Sequence, residues 1–378
     1  MTKSLESRVR TRLNELESFG LVRTLKSPQG IDLSSNDYLG LAKHPLVVER
    51  MSDALHREGC GSTGSRLLRG HRETLADVER QFAIFKGTKR SLYFSSGYLA
   101  NIAVLTTFPE EGDIVYSDER NHASLIDGIR LSRAKCVIFP HNDVDTLAKL
   151  ADEENRKGQA FVVVESLFSM DGDIAPLSNY ADFCRKSGAV LVVDEAHAVG
   201  LYGKDGSGLI KATGVNDDVM FSINTAGKAL GVAGAFVAGS ELTIEYLIQC
   251  ARPFIFSTAP PPAIAAALKA SLTIVANEPN RRERVQTLSK YLRNKLVAAG
   301  FDIPLGNSQI ISLVVGENHV ATMLARELQK KGFDVRAIRP PSVPEGTARL
   351  RISVNANLSK VDLDRFVLTL KQCSMEVG

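Results

Sequence analysis

Short apolar runs alternate with amphipathic helical stretches through the middle of this chain. DIVYSD, CVIFPH, FVVVE and VLVVDEAH are four such runs between Asp113 and His197, and helical patterns separate them. Strands that alternate with helices are joined by crossover connections, which favours a mainly parallel sheet covered by helices on both faces. Ligands of such sheets bind beyond the carboxyl ends of the strands. The polar residues of this region fall at those ends.

The two ends of the chain carry other patterns. MTKSLESRVRTRLNELESFG predicts an amphipathic helix, and a long helical region follows Phe256 with a break near 277–280. QIISLVV, HVATMLARELQKKG, FDVRAIRP, ARLRISVN and DLDRFVLTLKQC then predict a small α+β domain. We therefore expect an N-terminal helix and arm over residues 1–35, a large domain over 36–260 and a smaller C-terminal domain over 261–378.

Composition restricts the class of partner. The 378 residues carry a net charge of +3 without a basic block, which suggests neither a nucleic-acid nor a membrane partner. The five cysteines are scattered without a CxxC pair, which argues against a disulfide framework and a zinc site and favours a reducing compartment. Because the N-terminus lacks the apolar core of a signal peptide and no apolar run could span a bilayer, we expect a cytoplasmic protein.

One lysine occupies an unusual position in the pattern. VMFSINTAGKALG, from Val219 to Gly231, predicts a strand, a tight turn and Lys228, followed by a second strand. Burial at that place would disfavour the ammonium form, and the resulting amine is suited to a Schiff base with a carbonyl. Taken alone, a solvated loop lysine is the better interpretation of Lys228.

Two glycine-containing stretches could hold an anion. GCGSTGSRLLRGH, at 59–71, has neither the GK[ST] ending of a P-loop nor a GxGxxG after a strand, and a plain surface loop explains it equally well. SSGYLAN follows a predicted strand and opens a helix, so the backbone N–H groups of Ser96, Gly97 and Tyr98 would form a phosphate seat. An ordinary helix cap explains the serines equally well.

VLVVDEAH ends a predicted buried strand with Asp194 and His197. The same letters form a helicase DEAH box, but Lys228 is followed by Ala229, and Ser222 stands where a Walker A motif needs glycine. The helicase interpretation is therefore excluded. Asp194 could still be an ordinary helix cap after a strand.

Taken together, the motifs resemble those of the α-oxoamine synthases, which are fold-type I pyridoxal-phosphate enzymes. The resemblance covers nearly the whole chain in the family's order, through SSNDYLGL, GSTGSRLLRGH, SSGYLAN, NHAS, SLFSMDGD, VVDEAHAVG, TAGKALG, FSTAPPP and IRPPSVPEGTARLRIS. It implies an α/β fold, with a mainly parallel seven-stranded sheet in the large domain, a smaller C-terminal α+β domain and an N-terminal helical segment. It also implies pyridoxal 5′-phosphate as cofactor, and no metal.

The resemblance implies roles for five polar side chains. Lys228 would bind the cofactor covalently, and Asp194 would pair with the nitrogen of its ring. His197 and Ser169 would bond the ring oxygen, while His122, in NHAS, would stack on the ring face. Without the motif, a histidine packed near a strand end is the better interpretation of His122.

The resemblance extends to the phosphate and the oligomer. Gly97, Tyr98 and Thr225 would hold the phosphate, and Thr258 would reach it from a partner subunit. The implied assembly is a homodimer with shared active sites.

Three further residues would bind the amino-acid substrate. Arg351, the second arginine of ARLRIS, would hold its carboxylate through the planar guanidinium. The alternative interpretation is a solvated strand arginine with no role in binding. Asn36 would help to orient the substrate. Arg23 matches the family pattern less closely, and a surface arginine is an equal interpretation.

The implied reaction is an acyl transfer from a thioester to an amino acid, with loss of carbon dioxide. The segment Ile338 to Ser353 most resembles family members that join L-alanine to pimeloyl-CoA or its carrier-protein thioester, and members that use glycine or serine are the alternative. Asn224 and Ala226 flank Thr225 where a glycine and a phenylalanine are usual, and Arg120 and Ala198 are further departures. A silent scaffold subunit would be expected to lack Lys228, and a general aminotransferase would not explain the motifs near both ends.

Overall fold

A computed structural model describes residues 4–304 and 306–377. The chain divides into two compact units. The first, here called the central unit, consists of residues 36–169 and 173–283. The second, the terminal unit, consists of residues 1–35, 170–172 and 284–378. The expected division at residues 35 and 260 stays a prediction.

The central unit is built on a seven-stranded sheet. Its strands lie in the order β2-β8-β7-β6-β5-β3-β4, and β8 is antiparallel to both of its neighbours. The other neighbouring pairs are parallel, which confirms the predicted mainly parallel sheet. The strands are β2 (Arg90–Phe94), β3 (Ile114–Asp118), β4 (Lys135–Phe139), β5 (Ala160–Glu165), β6 (Val190–Asp194), β7 (Val219–Thr225) and β8 (Ala235–Gly239).

Helices complete the central unit, together with a short π-helical turn at Arg66–Gly70. The apolar faces of α4 and α5 pack with Val115, Val163 and Val192 of the sheet into one core cluster. The helices are α2 (Pro45–Glu58), α3 (Glu73–Lys86), α4 (Gly97–Thr107), α5 (Ala123–Leu131), α6 (Val144–Glu153), α7 (Leu177–Ser187), α8 (Leu209–Thr213), α9 (Glu241–Cys250), α10 (Arg252–Ile255) and α11 (Pro262–Asn277).

The carboxyl ends of four parallel strands carry polar residues. β3 ends at Asp118, β5 at Glu165, β6 at Asp194 and β7 at Thr225. Most residues earlier in these strands are apolar and buried, because helices cover the sheet. Chemistry-bearing side chains are therefore concentrated at one edge, as the sequence predicted.

The terminal unit contains a three-stranded antiparallel sheet in the order β11-β12-β9 and a separate parallel pair formed by β1 and β10. Its core includes Leu313, Leu324, Leu350 and Phe366. Its elements are α1 (Leu5–Ser18), β1 (Ile31–Asp32), α12 (Pro279–Ala298), β9 (Ile310–Gly316), α13 (Asn318–Lys330), β10 (Phe333–Asp334), β11 (Arg336–Ile338), β12 (Ala348–Ser353) and α14 (Lys360–Val377), and the boundary between units falls within α12.

One strand of this unit was predicted as a single element and is divided in the structure. FDVRAIRP forms β10 and β11, which pair with different strands. The backbone turns at Val335, whose N–H donates to the carbonyl of Phe333. An apolar alternation cannot reveal such a change of partner, because both halves keep the same spacing.

Two kinds of site are absent from the described residues, a membrane-spanning helix and a metal-binding cluster. Within residues 4–304 and 306–377, no helix has both the length and the apolar character needed to cross a bilayer. The same ranges contain no group of three or more His, Cys, Asp or Glu side chains placed to hold a metal ion.

Candidate active site

Lys228 lies in the tight connection between β7 and β8. The N–H of Ala226 donates to the carbonyl of Gly234, and the N–H of Gly231 donates to the carbonyl of Lys228 itself. Gly231 has a φ of +65°, and an added Cβ there would lie 2.5 Å from the backbone nitrogen of Ala42. Glycine is therefore required at this turn. The turn holds the half-buried Lys228 at the sheet edge, as predicted.

A hydrogen-bonded chain begins at the Lys228 amine. Lys228 Nζ lies 2.9 Å from His197 Nε2, and His197 Nδ1 lies 2.7 Å from the hydroxyl of Tyr38. The Tyr38 hydroxyl donates to Asn36 Oδ1 at 2.9 Å, so it accepts from His197 Nδ1–H. His197 Nε2 is then an acceptor facing the lysine. The structure thus brings together three of the predicted residues, Lys228, His197 and Asn36.

A second chain connects His122 to Asp194. His122 caps α5, where its Nδ1 accepts the N–H of Ser124 and lies 2.7 Å from the Ser124 hydroxyl. Asn101 Nδ2 donates to that hydroxyl and to Asp194 Oδ2, both at 2.8 Å. Burial lowers the pKa of His122, the nearby Asp194 partly offsets this, and Lys228 lowers the pKa further. His122 is therefore a neutral imidazole with its proton on Nε2.

Glu165 forms an acid pair with Asp194. The two residues are register partners at the ends of β5 and β6, and both side chains are buried. Burial, and then the charge of Asp194, raise the pKa of Glu165 to about 8. Asp194 accepts two hydrogen bonds, from the side-chain amide of Asn101 and from the backbone N–H of Ala196, both at 2.8 Å. Burial therefore favours the neutral acid form of Glu165 beside the hydrogen-bonded Asp194.

The predicted phosphate seat lies where β7 meets α4. Ser96 caps α4 by accepting the N–H of Leu99 at 3.2 Å. A Cβ on Gly97 would lie 2.6 Å from Thr225 Oγ1, so the backbone of the first helical residue is close to that hydroxyl. Tyr98 is partly exposed, and its hydroxyl donates to Asp127. Gly97 and Thr225 are thus neighbours, as their predicted role requires.

The residues that flank Thr225 do not change this seat. The Asn224 side chain donates to the carbonyl and hydroxyl of Ser222, both at 3.0 Å. Successive side chains of a strand point to opposite faces, so Asn224 lies on the face opposite Thr225. Ala226 is buried in the turn that follows.

The other predicted residues belong to four further segments of the chain. Ser169 is buried in the segment after β5, whereas Thr258 is exposed and pairs with Ser65. Arg23 and Arg351 belong to the terminal unit. Arg351 is buried in β12 and donates to the Ser353 hydroxyl at 2.8 Å, and exposed Arg23 donates to the carbonyl of Pro340 at 3.3 Å. Their substrate-binding roles stay predictions.

Sequence reasoning assigned no role to four residues of the hydrogen-bonded chains and the acid pair, namely Tyr38, Asn101, Ser124 and Glu165. Tyr38 and Asn101 lie within SSNDYLGL and SSGYLAN, but nothing in their spacing indicates the residues that they contact. Glu165 could have been found, because it is a carboxylate at the end of a buried strand, as Asp194 is.

Comparisons with known proteins identify the family of this chain. The profile of the family described as aminotransferase class I and II matches residues 28–370. An 8-amino-7-oxononanoate synthase of Geobacter sulfurreducens is 40% identical, and the alignment covers 100% of both chains. One from Anaeromyxobacter dehalogenans is 46% identical over 90% of this chain and 85% of its own.

Solved structures give the same result for the fold. A serine palmitoyltransferase from S. paucimobilis, with a bound PLP–myriocin aldimine, is 30% identical with a TM-score of 0.93 and covers 100% of both chains. An 8-amino-7-oxononanoate synthase from Francisella tularensis is 29% identical with a TM-score of 0.79, over 91% of this chain and 97% of its own. The chain therefore belongs to the aminotransferase class I and II family and, within it, to the α-oxoamine synthases.

Proposed function

We propose that this enzyme condenses L-alanine with a pimeloyl thioester to give 8-amino-7-oxononanoate, carbon dioxide and the free thiol, a step of biotin biosynthesis. The observation that carries the proposal is the identity of 40% along the whole chain to an 8-amino-7-oxononanoate synthase. The reaction forms a carbon–carbon bond between the alanine Cα and the acyl carbon. The thiolate leaves, and the original alanine carboxylate departs as carbon dioxide.

The cofactor is pyridoxal 5′-phosphate, and the residues present fit it. When bound, it supplies an electron-withdrawing ring conjugated to the amino-acid Cα. The carboxylate of Asp194 suits a protonated ring nitrogen, because such a pair at about 4 Å and an effective dielectric of about 20 gains roughly 4 kcal/mol. The close approach of Gly97 to Thr225 and the N-terminus of α4 suit the phosphate.

Lys228 Nζ is the base that we assign to the alanine Cα proton. His197 Nε2, 2.9 Å away, accepts a hydrogen bond from the amine, because Tyr38 fixes the proton of His197 on Nδ1. This leaves the amine lone pair for the substrate. Neutral His122 offers a ring face without a competing positive charge near the cofactor. Ser169 would bond the ring oxygen, and so would His197 when its Nε2 is not engaged by the Lys228 amine.

The amino-acid carboxylate requires a cation, and we assign Arg351 to it. Its guanidinium can form two parallel hydrogen bonds with a carboxylate. We expect Arg351→Ala to raise the KM for L-alanine at least tenfold, with a smaller change in kcat. An unchanged KM would move the anchor to another residue, with Asn36 or Arg23 next to be tested.

Two features of assembly and location follow from the same proposal. We infer a homodimer, because Leu68 and Phe256, which are near in sequence to the paired residues Ser65 and Thr258, are large apolar side chains exposed to solvent. Light scattering should give twice the chain mass, and Phe256→Asp should reduce it toward a monomer. We also propose a cytoplasmic location, since all five cysteines are free.

Thiol release from pimeloyl-CoA by the cofactor-loaded protein tests the substrate assignment. L-alanine, glycine and L-serine would be compared side by side. Release with L-alanine alone is the expected result. Release mainly with glycine or serine would overturn the choice of amino acid, and absence of release from pimeloyl-CoA but release from the carrier-protein thioester would identify the acyl donor.

A further inference from the structure

A histidine outside the proposed chemistry lies between two carboxylates. His141 follows β4, and its Nδ1 lies 2.9 Å from Asp118 Oδ1. Its Nε2 lies 2.6 Å from Asp173 Oδ2. The side chain is 12% exposed, so water has limited access to these bonds. Both ring nitrogens face an acceptor, which is the arrangement of a protonated imidazole.

The next residue makes the same connection. Asn142 has a φ of +57°, a left-handed conformation that asparagine adopts more readily than most residues. Its backbone N–H donates to Asp118 Oδ2, and its side-chain amide donates to Asp173 Oδ2, both at 2.9 Å. Two consecutive residues, His141 and Asn142, therefore bridge the same two aspartates.

Asp173 belongs to the hairpin that carries Ser169. The hairpin spans residues 166–175 and closes through two backbone bonds, from Phe168 N–H to the carbonyl of Asp173 and from Ala175 N–H to the carbonyl of Ser166. The ring of Phe168, the residue before Ser169, meets the His141 ring edge-on at a centroid distance of 4.4 Å. His141 thus contacts both arms of the hairpin.

Asp118 belongs to the turn that carries His122. Its Oδ1 accepts the N–H of Arg120 at 2.9 Å, and its backbone carbonyl accepts the N–H of Asn121. The Asn121 side chain donates to the carbonyl of Val163 in β5 at 2.7 Å. His122 follows directly and caps α5. Asp118 therefore orders the backbone just before His122.

We propose that His141, shared as an imidazolium between Asp118 and Asp173, is a positioning residue that fixes the hairpin of Ser169 relative to the turn of His122. The proposal rests on the proposed function, because Ser169 and His122 are the side chains assigned to the cofactor ring. His141 is not among the residues that we assign to substrate or cofactor. Its effect on the site passes through the hairpin.

The groups around His141 support its charged form. Burial alone would lower the pKa of His141, but the hydrogen bonds to Asp118 and Asp173 raise it to about 9. Glu119 accepts the backbone N–H of His141 and adds negative charge nearby. The other neighbouring groups are Asp143, which caps α6, and the buried hydroxyl of Tyr180, whose pKa is raised by burial and by Asp118, Asp143 and Asp173.

A double-mutant cycle on cofactor affinity tests the proposal without any substrate. We expect His141→Gln to weaken pyridoxal 5′-phosphate binding about tenfold at pH 7 and Ser169→Ala to weaken it by a similar factor. The double variant should bind no more than about twofold more weakly than Ser169→Ala, because both changes act through one contact. If the affinity loss of the double variant equals the product of the losses of the two single variants, the proposal is overturned.

The pH dependence of the same cycle gives a readout that a purely structural role would not change. The affinity ratio between wild type and His141→Gln should fall from about ten at pH 7 toward one above pH 9, as His141 loses its proton. Titrations common to both proteins, including that of Lys228, cancel in the ratio. A ratio that is constant with pH would contradict the charged bridge.

Hydrogen exchange provides a readout that needs no cofactor affinity. In His141→Gln, the amides of Phe168 and Ala175 should exchange at least tenfold faster, while that of Ala226 in the Lys228 turn stays unchanged. Asp173→Asn, which keeps the side-chain size, should show the same pattern more weakly, and His319→Gln, on the exposed face of α13, should show no change. Unchanged protection at Phe168 and Ala175 would overturn the proposal, whichever amino acid the enzyme uses.

Discussion

Two histidines follow neighbouring parallel strands and have opposite protonation. His122 lies four residues beyond the end of β3, and His141 lies two residues beyond the end of β4. Burial lowers the pKa of both side chains. His122 accepts hydrogen bonds from Ser124 and stays neutral, whereas His141 is bonded to two carboxylates and its pKa rises to about 9.

The difference in protonation between His122 and His141 shows that direct hydrogen-bond partners, more than burial, determine whether a histidine at this sheet edge is charged. Asp194 is connected to His122 through Asn101 and Ser124, and its charge raises the pKa of His122 less than burial lowers it. The neutral ring suits contact with a cofactor, and the charged ring suits cross-linking of the backbone. One residue type thus serves chemistry and positioning on adjacent strands.

The largest expected effect is a loss of activity, and it tests the histidine that lies near the proposed chemistry, His122. Lys228→Ala should reduce thiol release by about 10⁴-fold or more, because it removes the amine that we assign as the base and that lies 2.9 Å from His197 Nε2. Removal of the positive charge should also raise the pKa of His122, which NMR titration would detect, while His141 stays unchanged. Lys211→Ala, which removes a surface pair with Asp205, is the control. Normal turnover in Lys228→Ala would refute the assignment.

Asp194→Asn should have the next largest effect. Loss of the carboxylate should weaken pyridoxal 5′-phosphate binding by about 10²- to 10³-fold, which corresponds to the roughly 4 kcal/mol of its pairing with the ring nitrogen. The pKa of Glu165 should fall, because its charged neighbour is gone. Absorbance titration of the cofactor measures the first effect. Affinity within threefold of wild type would exclude Asp194 as the ring partner.

His141 should make stability depend on pH in the opposite direction from a paired aspartate. Its folded pKa of about 9 lies above its ordinary value of 6.5, so its stabilisation is complete below pH 6.5 and is lost as the pH rises through 9. After allowance for partial solvent access, we expect a loss of about 2 kcal/mol across this range. Urea unfolding of wild type and His141→Gln at pH 6 and pH 10 measures it. Equal losses in both proteins would contradict the assignment.

Glu165→Gln should have a small effect with a distinct pH profile. Below pH 8 the wild-type side chain is a neutral acid, which glutamine imitates, so cofactor affinity should change less than about threefold. Above pH 8 the wild type acquires a second buried negative charge beside Asp194, and its affinity should decline while that of the variant does not. Parallel declines in the two proteins would show that another group titrates.

The smallest expected effect comes from a surface pair on the strand that leads to His141. Lys135 and Glu154 form an exposed ion pair at 2.6 Å. Lys135→Ala should cost less than about 1 kcal/mol, because solvent screens the pair, and the pKa of His141 should not move. A larger loss by urea unfolding would indicate that β4 itself, in addition to the aspartates, supports the histidine.

The sequence by itself determined the sheet, the position of the lysine and the family. Alternating apolar runs and helical patterns predicted the parallel strands, and motif order identified Lys228, Asp194, His197 and His122. These features are local, because each depends on a short stretch of consecutive residues. This holds for the spacing of apolar residues in strands, for the glycines of turns and for the polar residues at strand ends.

Only the tertiary structure decided the hydrogen-bonded chains and the protonation of the histidines. Tyr38 contacts His197 across 159 positions, and Asp194 meets Asn101 across 93. Such contacts depend on strand order and register, which no single stretch specifies. The charge of His141 likewise depends on Asp118 and Asp173, which the fold brings to the ring from two separate segments of the chain.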